Sequence, residues 1–151
     1  MQGKFADIWV PWLRSVTGGE PEPEDLLAVG DPDSFYAKGG GTVLFALQDD
    51  QPLGVVAVKN LGSGVYEFCK LVVLERARGL GVGRELVKAC IRFASDAGGR
   101  LLMLQSLRRL EVALRMYERM GFAPMAPPSQ MLVLARTEIV MGLPLGASPK
   151  A

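Results

Sequence analysis

Leu71-Val72-Val73-Leu74-Glu75-Arg76-Ala77-Arg78-Gly79-Leu80-Gly81-Val82-Gly83-Arg84 is the stretch on which the reading of this chain turns. An apolar, β-prone run from Val65 to Leu74 hands over, through a glycine cluster, to a segment with helical periodicity. There Leu86, Ala89, Cys90, Phe93, Ala94 and Ala97 fall on one side, and Arg84, Glu85, Lys88 and Arg92 on the other. Gly79, Gly81 and Gly83 let the backbone turn tightly and leave amide N–H groups unshielded by side chains. The start of the helix adds partial positive charge, and Arg76, Arg78 and Arg84 outweigh Glu75 and Glu85 nearby. Such a loop suits a pyrophosphate; a turn that merely needs glycine is the alternative. The spacing is not Gly-x-Gly-x-x-Gly, and the loop follows the third strand rather than the first, so a dinucleotide-binding assignment fails. No Gly-Lys-Ser/Thr ending is present, so the chain is not expected to hydrolyse nucleoside triphosphates.

Upstream, the pattern reads as a β-meander. Thr42 to Leu47 and Leu53 to Lys59 are two strands joined by a turn at Asp49-Asp50-Gln51-Pro52, and Gly62-Ser63-Gly64 leads into the third, Val65 to Leu74. Before these lie a helical opening (Phe5, Ile8, Trp9, Trp12, Leu13), a short helix starting at Pro23 and carrying Leu26, Leu27 and Val29, and a hinge at Gly39-Gly40-Gly41. Downstream, Gly98-Gly99 ends the long helix, and Leu101 to Gln105 forms a strand. A helix from about Glu111 to Met120 is stopped by Gly121, and Gln130 to Val133 and Thr137 to Leu143 read as one or two closing strands. The order predicts an α/β (α+β) domain over 1–145, followed by a disordered tail over 146–151.

Composition narrows the function. The chain has 151 residues, enough for one domain to fold without metals or disulfides, and 49% are apolar against 22% charged. A net charge of +1, with no basic block, argues against nucleic acid. No run approaches a membrane span and the opening lacks a signal-like apolar region, so a cytoplasmic protein without membrane partners is expected. Cys69 and Cys90 sit in apolar periodic segments, as buried free thiols do. The chain has no histidine. That removes Ser-His-Asp and Cys-His catalysis and the commonest zinc ligand, leaving carboxylates, Tyr, Lys or water for proton transfer.

Two segments resemble signatures of one family. The quoted stretch is similar to the coenzyme A loop of the Gcn5-related N-acetyltransferases, Arg/Gln-x-x-Gly-x-Gly/Ala after a hydrophobic strand, with Arg78, Gly81 and Gly83 at its fixed positions. Ala113-Leu114-Arg115-Met116-Tyr117-Glu118-Arg119-Met120-Gly121-Phe122 resembles the second, Ala-x-x-x-Tyr-x-x-x-Gly-Phe. The resemblance spans roughly Thr42 to Phe122 and implies the fold of that family, a mixed, mostly antiparallel sheet flanked by helices. It implies acetyl-CoA as cosubstrate, with no metal, and acetyl transfer to a primary amine of a small molecule or peptide. It further implies that the backbone from Arg78 through Gly79, Leu80, Gly81, Val82 and Gly83 to Arg84 binds the coenzyme pyrophosphate, and that main-chain groups of Leu71 and Val73 pair with the pantetheine arm. Many relatives have Asn seven residues before the signature tyrosine, where this chain has Leu110. Relatives are often dimers, so a homodimer pairing through Thr137 to Leu143 is a further expectation.

Acyl transfer to an amine needs a base for the amine proton, donors for the oxyanion and an acid for the departing thiolate. Glu67 is the candidate base. Strict alternation puts it on one face with Val65, Cys69, Leu71 and Val73, where burial would raise its pKa; an exposed Glu67, or one paired with Lys59 or Lys70, is the alternative. The resemblance makes Tyr117 the general acid, although spacing alone reads it as a core residue. The Val73 N–H is the candidate oxyanion donor. Trp9, Trp12 and Phe35 either line an acceptor pocket or pack the first helix on the sheet. The acids from Glu20 to Asp33 either attract a cationic amine or start helices. The rival function is a coenzyme-binding sensor without turnover, for which Leu110 is the best argument.

Overall fold

The computed structural model describes residues 3–146; residues 147–151 of the expected tail lie outside them. Helices α1 (Lys4–Thr17), α2 (Pro23–Gly30) and the one-turn α3 (Pro32–Phe35) lead into strands β1 (Thr42–Gln48), β2 (Gln51–Gly62) and β3 (Val65–Val73). Helix α4 (Val82–Asp96), β4 (Leu101–Ser106), α5 (Glu111–Arg119), the two-residue β5 (Ala123–Pro124) and β6 (Ile139–Pro144) complete the order. The sheet runs β1-β2-β3-β4-β6-β5, antiparallel except for β3 against β4. Among the described residues no helix is long and apolar enough to cross a membrane.

Strand β2 begins two residues earlier than its composition suggests. Asp49 and Asp50 both have positive φ, 51° and 65°, which makes a two-residue hairpin turn and brings Gln51 opposite Gln48. The closing strand expected at Gln130 to Val133 does not form. Beside β4 the sheet position belongs to β6, and β5 pairs with the far side of β6 at Met141 and Gly142. The Leu132 carbonyl and Leu134 N–H bond to the Gln105 side chain instead. Since β6 lies between β4 and β5, it is not an outer strand of the sheet.

The decisive irregularity lies in β3. Lys70 has φ 59°, and Ala57 and Val55, two residues apart on β2, face Cys69 and Val72, three apart on β3. This β-bulge resets the alternation. Glu67 and Cys69 face α1 and α2, whereas Leu71 joins Tyr66 and Phe68 on the α4 face, and Val73 reaches the first turn of α4, with its Cγ2 3.4 Å from where a Gly83 Cβ would stand. The shared face expected for Glu67, Leu71 and Val73 is therefore corrected. A non-glycine residue in the left-handed region inside a valine-rich run has no local sequence signal.

Two layers cover the sheet. Leu86, Val87, Cys90 and Ala94 of α4 and Tyr117 of α5 pack with Val56, Val58, Phe68, Leu102 and Leu104. On the opposite face Phe5, Trp9 and Leu13 of α1 and Ala28 and Val29 of α2 cover Val55, Ala57 and Val72. Leu26 and Leu27 of α2 are exposed, Val29 is buried, and the buried residue of the helix's first turn is Asp25.

Candidate active site

Parallel pairing of β3 with β4 is confined to Val65–Leu101, Tyr66–Leu102 and Glu67–Met103. Beyond Glu67 the strands diverge, since β4 continues on β6 to Ser106 while β3 follows β2. The Leu74 N–H is donated to Leu53 on the β2 side at 2.8 Å, so alternation turns the main chain of Val73, and of Leu71 two residues before it, to the unpaired edge. That edge opens into a groove of about 950 Å³ bounded by β3, the glycine loop and α5.

Of the glycine-loop residues, Arg78, Gly79, Gly81, Val82, Gly83 and Arg84 line the groove, together with Leu71 and Val73; Leu80 points away and is 69% exposed. The Arg78 and Leu80 amides donate within the loop, to the Glu75 and Ala77 carbonyls at 3.1 and 3.4 Å. The amides of Gly79, Gly81, Val82, Gly83 and Arg84 have no acceptor among the described residues, the last three being the first turn of α4. Gly79 and Gly81 have φ of 82° and 80°, a conformation that costs a side-chain-bearing residue about 1–2 kcal/mol. Arg78, Arg84, Arg109, Arg115 and Arg119 line the groove against one acid, Glu111. Unshielded amides and an arginine-rich lining suit the groove to an elongated polyanion. Arg109 also donates to the Val16 carbonyl at the end of α1.

A second, smaller cavity of about 100 Å³ adjoins the groove; Trp12, Leu71, Leu110 and Tyr117 line both. Leu110 thus stands at the junction, as the residue preceding α5, where its side chain offers no hydrogen bond. Glu67 lines the small cavity with Trp9, Trp12, Lys70, Gln105 and Arg136. Phe35 does not; it packs on Tyr36, with its ring 5.4 Å from Lys59 Nζ. Glu67 is 4% exposed and makes no ion pair with Lys59 or Lys70. Burial pushes its carboxyl above the usual range, held back by Lys59, by a 2.9 Å hydrogen bond from Gln105 Nε2 and by Lys70.

Tyr117 is positioned by the end of its own helix. Gly121, at φ 104°, terminates α5, and the Phe122 N–H returns to the Tyr117 carbonyl at 3.0 Å. Phe122 then packs edge-on to Tyr117 at 6.1 Å, and Phe68 at 5.5 Å. The phenol is buried, which pushes its pKa upward, and its hydroxyl has no hydrogen-bond partner among the described residues. Its side chain lines both cavities, at their boundary.

A further residue missed in the sequence supports the small cavity. Asp25, 1% exposed, accepts from Arg136 at 2.8 and 3.1 Å and from the Glu22 N–H at 2.9 Å, and pairs with Lys70 Nζ at 2.9 Å. Both cations lie over the Trp9 ring, at 4.7 and 5.6 Å. Burial alone would raise the Asp25 carboxyl, but Arg136 and Lys70 hold it below its ordinary value. The bridge ties α2 to the β3 bulge and to the loop before β6. An acid in the first turn of a helix gives no sign in the sequence of such a role.

Residues 6–122 match the acetyltransferase (GNAT) family. The chain belongs to the GNAT family. It is similar to an uncharacterized N-acetyltransferase of Schizosaccharomyces pombe, 34% identical over 106 residues, covering 69% of this chain and 64% of that protein. It is also similar to the uncharacterized N-acetyltransferase YobR of Bacillus subtilis, 22% identical over 121 residues, covering 80% of this chain and 47% of that one. The chain thus spans between about half and two-thirds of the length of these curated relatives. Its fold matches a GNAT acetyltransferase of Staphylococcus aureus with a TM-score of 0.88 at 15% identity, covering 96% of this chain and 93% of the other. YncA of Salmonella typhimurium, a putative acetyltransferase solved with acetyl-CoA, matches with a TM-score of 0.72 at 18% identity, covering 99% and 92%. These structures carry the same GNAT architecture that the two sequence signatures imply.

Proposed function

We propose that this GNAT domain is an acetyl-CoA-dependent N-acetyltransferase that passes an acetyl group directly to a primary amine of a small molecule or a peptide. The observation that carries the reading is the joining of the two cavities at Tyr117, with Glu67 buried in the smaller and unshielded loop amides lining the larger. The amides of Gly79, Gly81, Val82, Gly83 and Arg84 hold the coenzyme pyrophosphate, and the open edge of Val73 and Leu71 aligns the pantetheine arm. The thioester then lies at the junction, beside the neutral amine in the small cavity.

Glu67 takes a proton from the nitrogen as the C–N bond forms, and its raised pKa suits a base working near neutral pH. The Val73 N–H faces the developing oxyanion. Tyr117 gives its proton to the sulfur as the C–S bond breaks, so the products are an amide and free coenzyme A. The narrowness of the small cavity favours the end of an unbranched amine.

The experiment is thiol release from acetyl-CoA in the presence of a panel of primary amines, amino acids and peptides. Glu67→Gln and Tyr117→Phe are each expected to slow turnover about 100-fold or more while acetyl-CoA binding is kept. A coenzyme-binding sensor is the second reading, favoured by the apolar Leu110 at the junction. Acetyl-CoA binding without turnover on any acceptor would select it over the enzyme.

A further inference from the structure

Gln105 is the last-but-one residue of β4, and its carboxamide is used on every side. Nε2 donates to Glu67 Oε2 at 2.9 Å and to the Leu132 carbonyl at 2.8 Å; Oε1 accepts from the Leu134 N–H at 2.9 Å and from the Thr137 hydroxyl. The partners fix the amide orientation, because a flipped group would set its oxygen against two acceptors and its nitrogen against a backbone N–H. The divergence of β3 and β4 begins at the Glu67–Met103 pair, two residues before Gln105, and it leaves room for a side chain to reach between the strands. The carboxamide therefore spans from Glu67 to the 132–137 loop, whose Leu134, Arg136 and Thr137 form a wall of the small cavity.

We propose that Gln105 is the positioning residue for Glu67: it holds Oε2 and leaves Oε1 as the oxygen turned to the amine, while its other end anchors the loop that closes the acceptor cavity. This rests on Glu67 being the base. Oε1 has no hydrogen-bond partner among the described residues, so one carboxylate oxygen is fixed and the other is available. The groups facing Glu67 from the packed elements are Lys59 of β2, Cys69 and Lys70 of β3, Glu24 of α2 and Tyr36 after α3. Gln105 is the group that donates a hydrogen bond to its carboxylate among the described residues.

The test compares Gln105→Glu with Gln105→Met. The first keeps an acceptor for the Leu134 N–H and Thr137 but removes the donor to Glu67; the second removes both. The Glu67 carboxyl is followed by carbon NMR against pH in protein saturated with coenzyme A, its signal assigned by loss in Glu67→Gln. Turnover is followed as thiol release with acetyl-CoA and the amine panel. Both variants are expected to move the Glu67 titration to higher pH. The acid limb of kcat/KM should move with it, so that the rate at a fixed pH on that limb falls about tenfold, with acetyl-CoA affinity within twofold of wild type. Only Gln105→Met is expected also to raise KM for the acceptor. A Glu67 titration unmoved in both variants, beside an inactive Glu67→Gln, overturns the role of Gln105 alone. A Glu67→Gln enzyme that turns over at the wild-type rate removes the proposed base, and this inference with it.

Discussion

Replacing Asp25 by Ala leaves Lys70 and Arg136 facing each other without their shared carboxylate. The Lys70 side chain is 9% exposed and has no other ion-pair partner among the described residues, and the Glu22 N–H loses its acceptor. Removing one member of a buried ion pair costs roughly 3–5 kcal/mol. Arg136 is a quarter exposed and keeps Glu22 at 3.3 Å, which places the expected loss near the lower end, about 3 kcal/mol. For a chain of this size that is a fall in Tm of roughly 6–12 °C. The sign with pH follows from the depressed carboxyl. Asp25 contributes its stability above its ordinary value of 3.8 and loses it as pH falls through the lower folded value, so the gap between wild type and variant narrows in that acid window. Thermal melts by circular dichroism at pH 7 and through the range below pH 4 measure both. Asp25→Asn, which keeps an acceptor for Glu22, is expected to lose less. A fall in Tm under about 2 °C at pH 7, or one that does not narrow in acid, would refute the reasoning.

Two other outcomes are expected. Gly81→Val forces a β-branched residue to φ 80° at a position with no protein atom within 4 Å, so it should cost about 1–2 kcal/mol in stability and weaken acetyl-CoA binding, read by calorimetry. Glu67→Gln should raise Tm at pH 8 while slowing turnover about 100-fold or more. A raised folded pKa means that stability falls as pH rises from the ordinary value of 4.5 toward the folded one, and the gain from the substitution should disappear below pH 4.5.

Much of the fold could be read from local pattern. Alternation in the valine-rich runs, the 3.6 period of α4, and glycine at Gly98 and Gly121 all act over a few residues, and the elements they imply are present. The glycine loop and Tyr117 could be placed because each is tied to a helix end. What escaped the sequence depends on distant partners. The Lys70 bulge is imposed by pairing with β2 and by the bridge to Asp25, and neither neighbour is local. Asp25 reads as a helix-starting acid until α2 is laid against Trp9. Gln105 reads as a polar residue closing a strand, and only the divergence of β3 from β4 brings Glu67 and the 132–137 loop to its two ends.

The divergence of β3 from β4 has a consequence for how this domain tolerates sequence drift. The edge that β3 turns to the groove at Leu71 and Val73 is peptide backbone, and backbone groups are the same whatever side chains flank them. Along that edge and the loop the demand is conformational, as with glycine at the left-handed positions 79 and 81. A chain 15% identical to the Staphylococcus aureus protein shares its fold over nearly the whole length of both. Side chains that change without loss of the cleft can reshape the small cavity beside it.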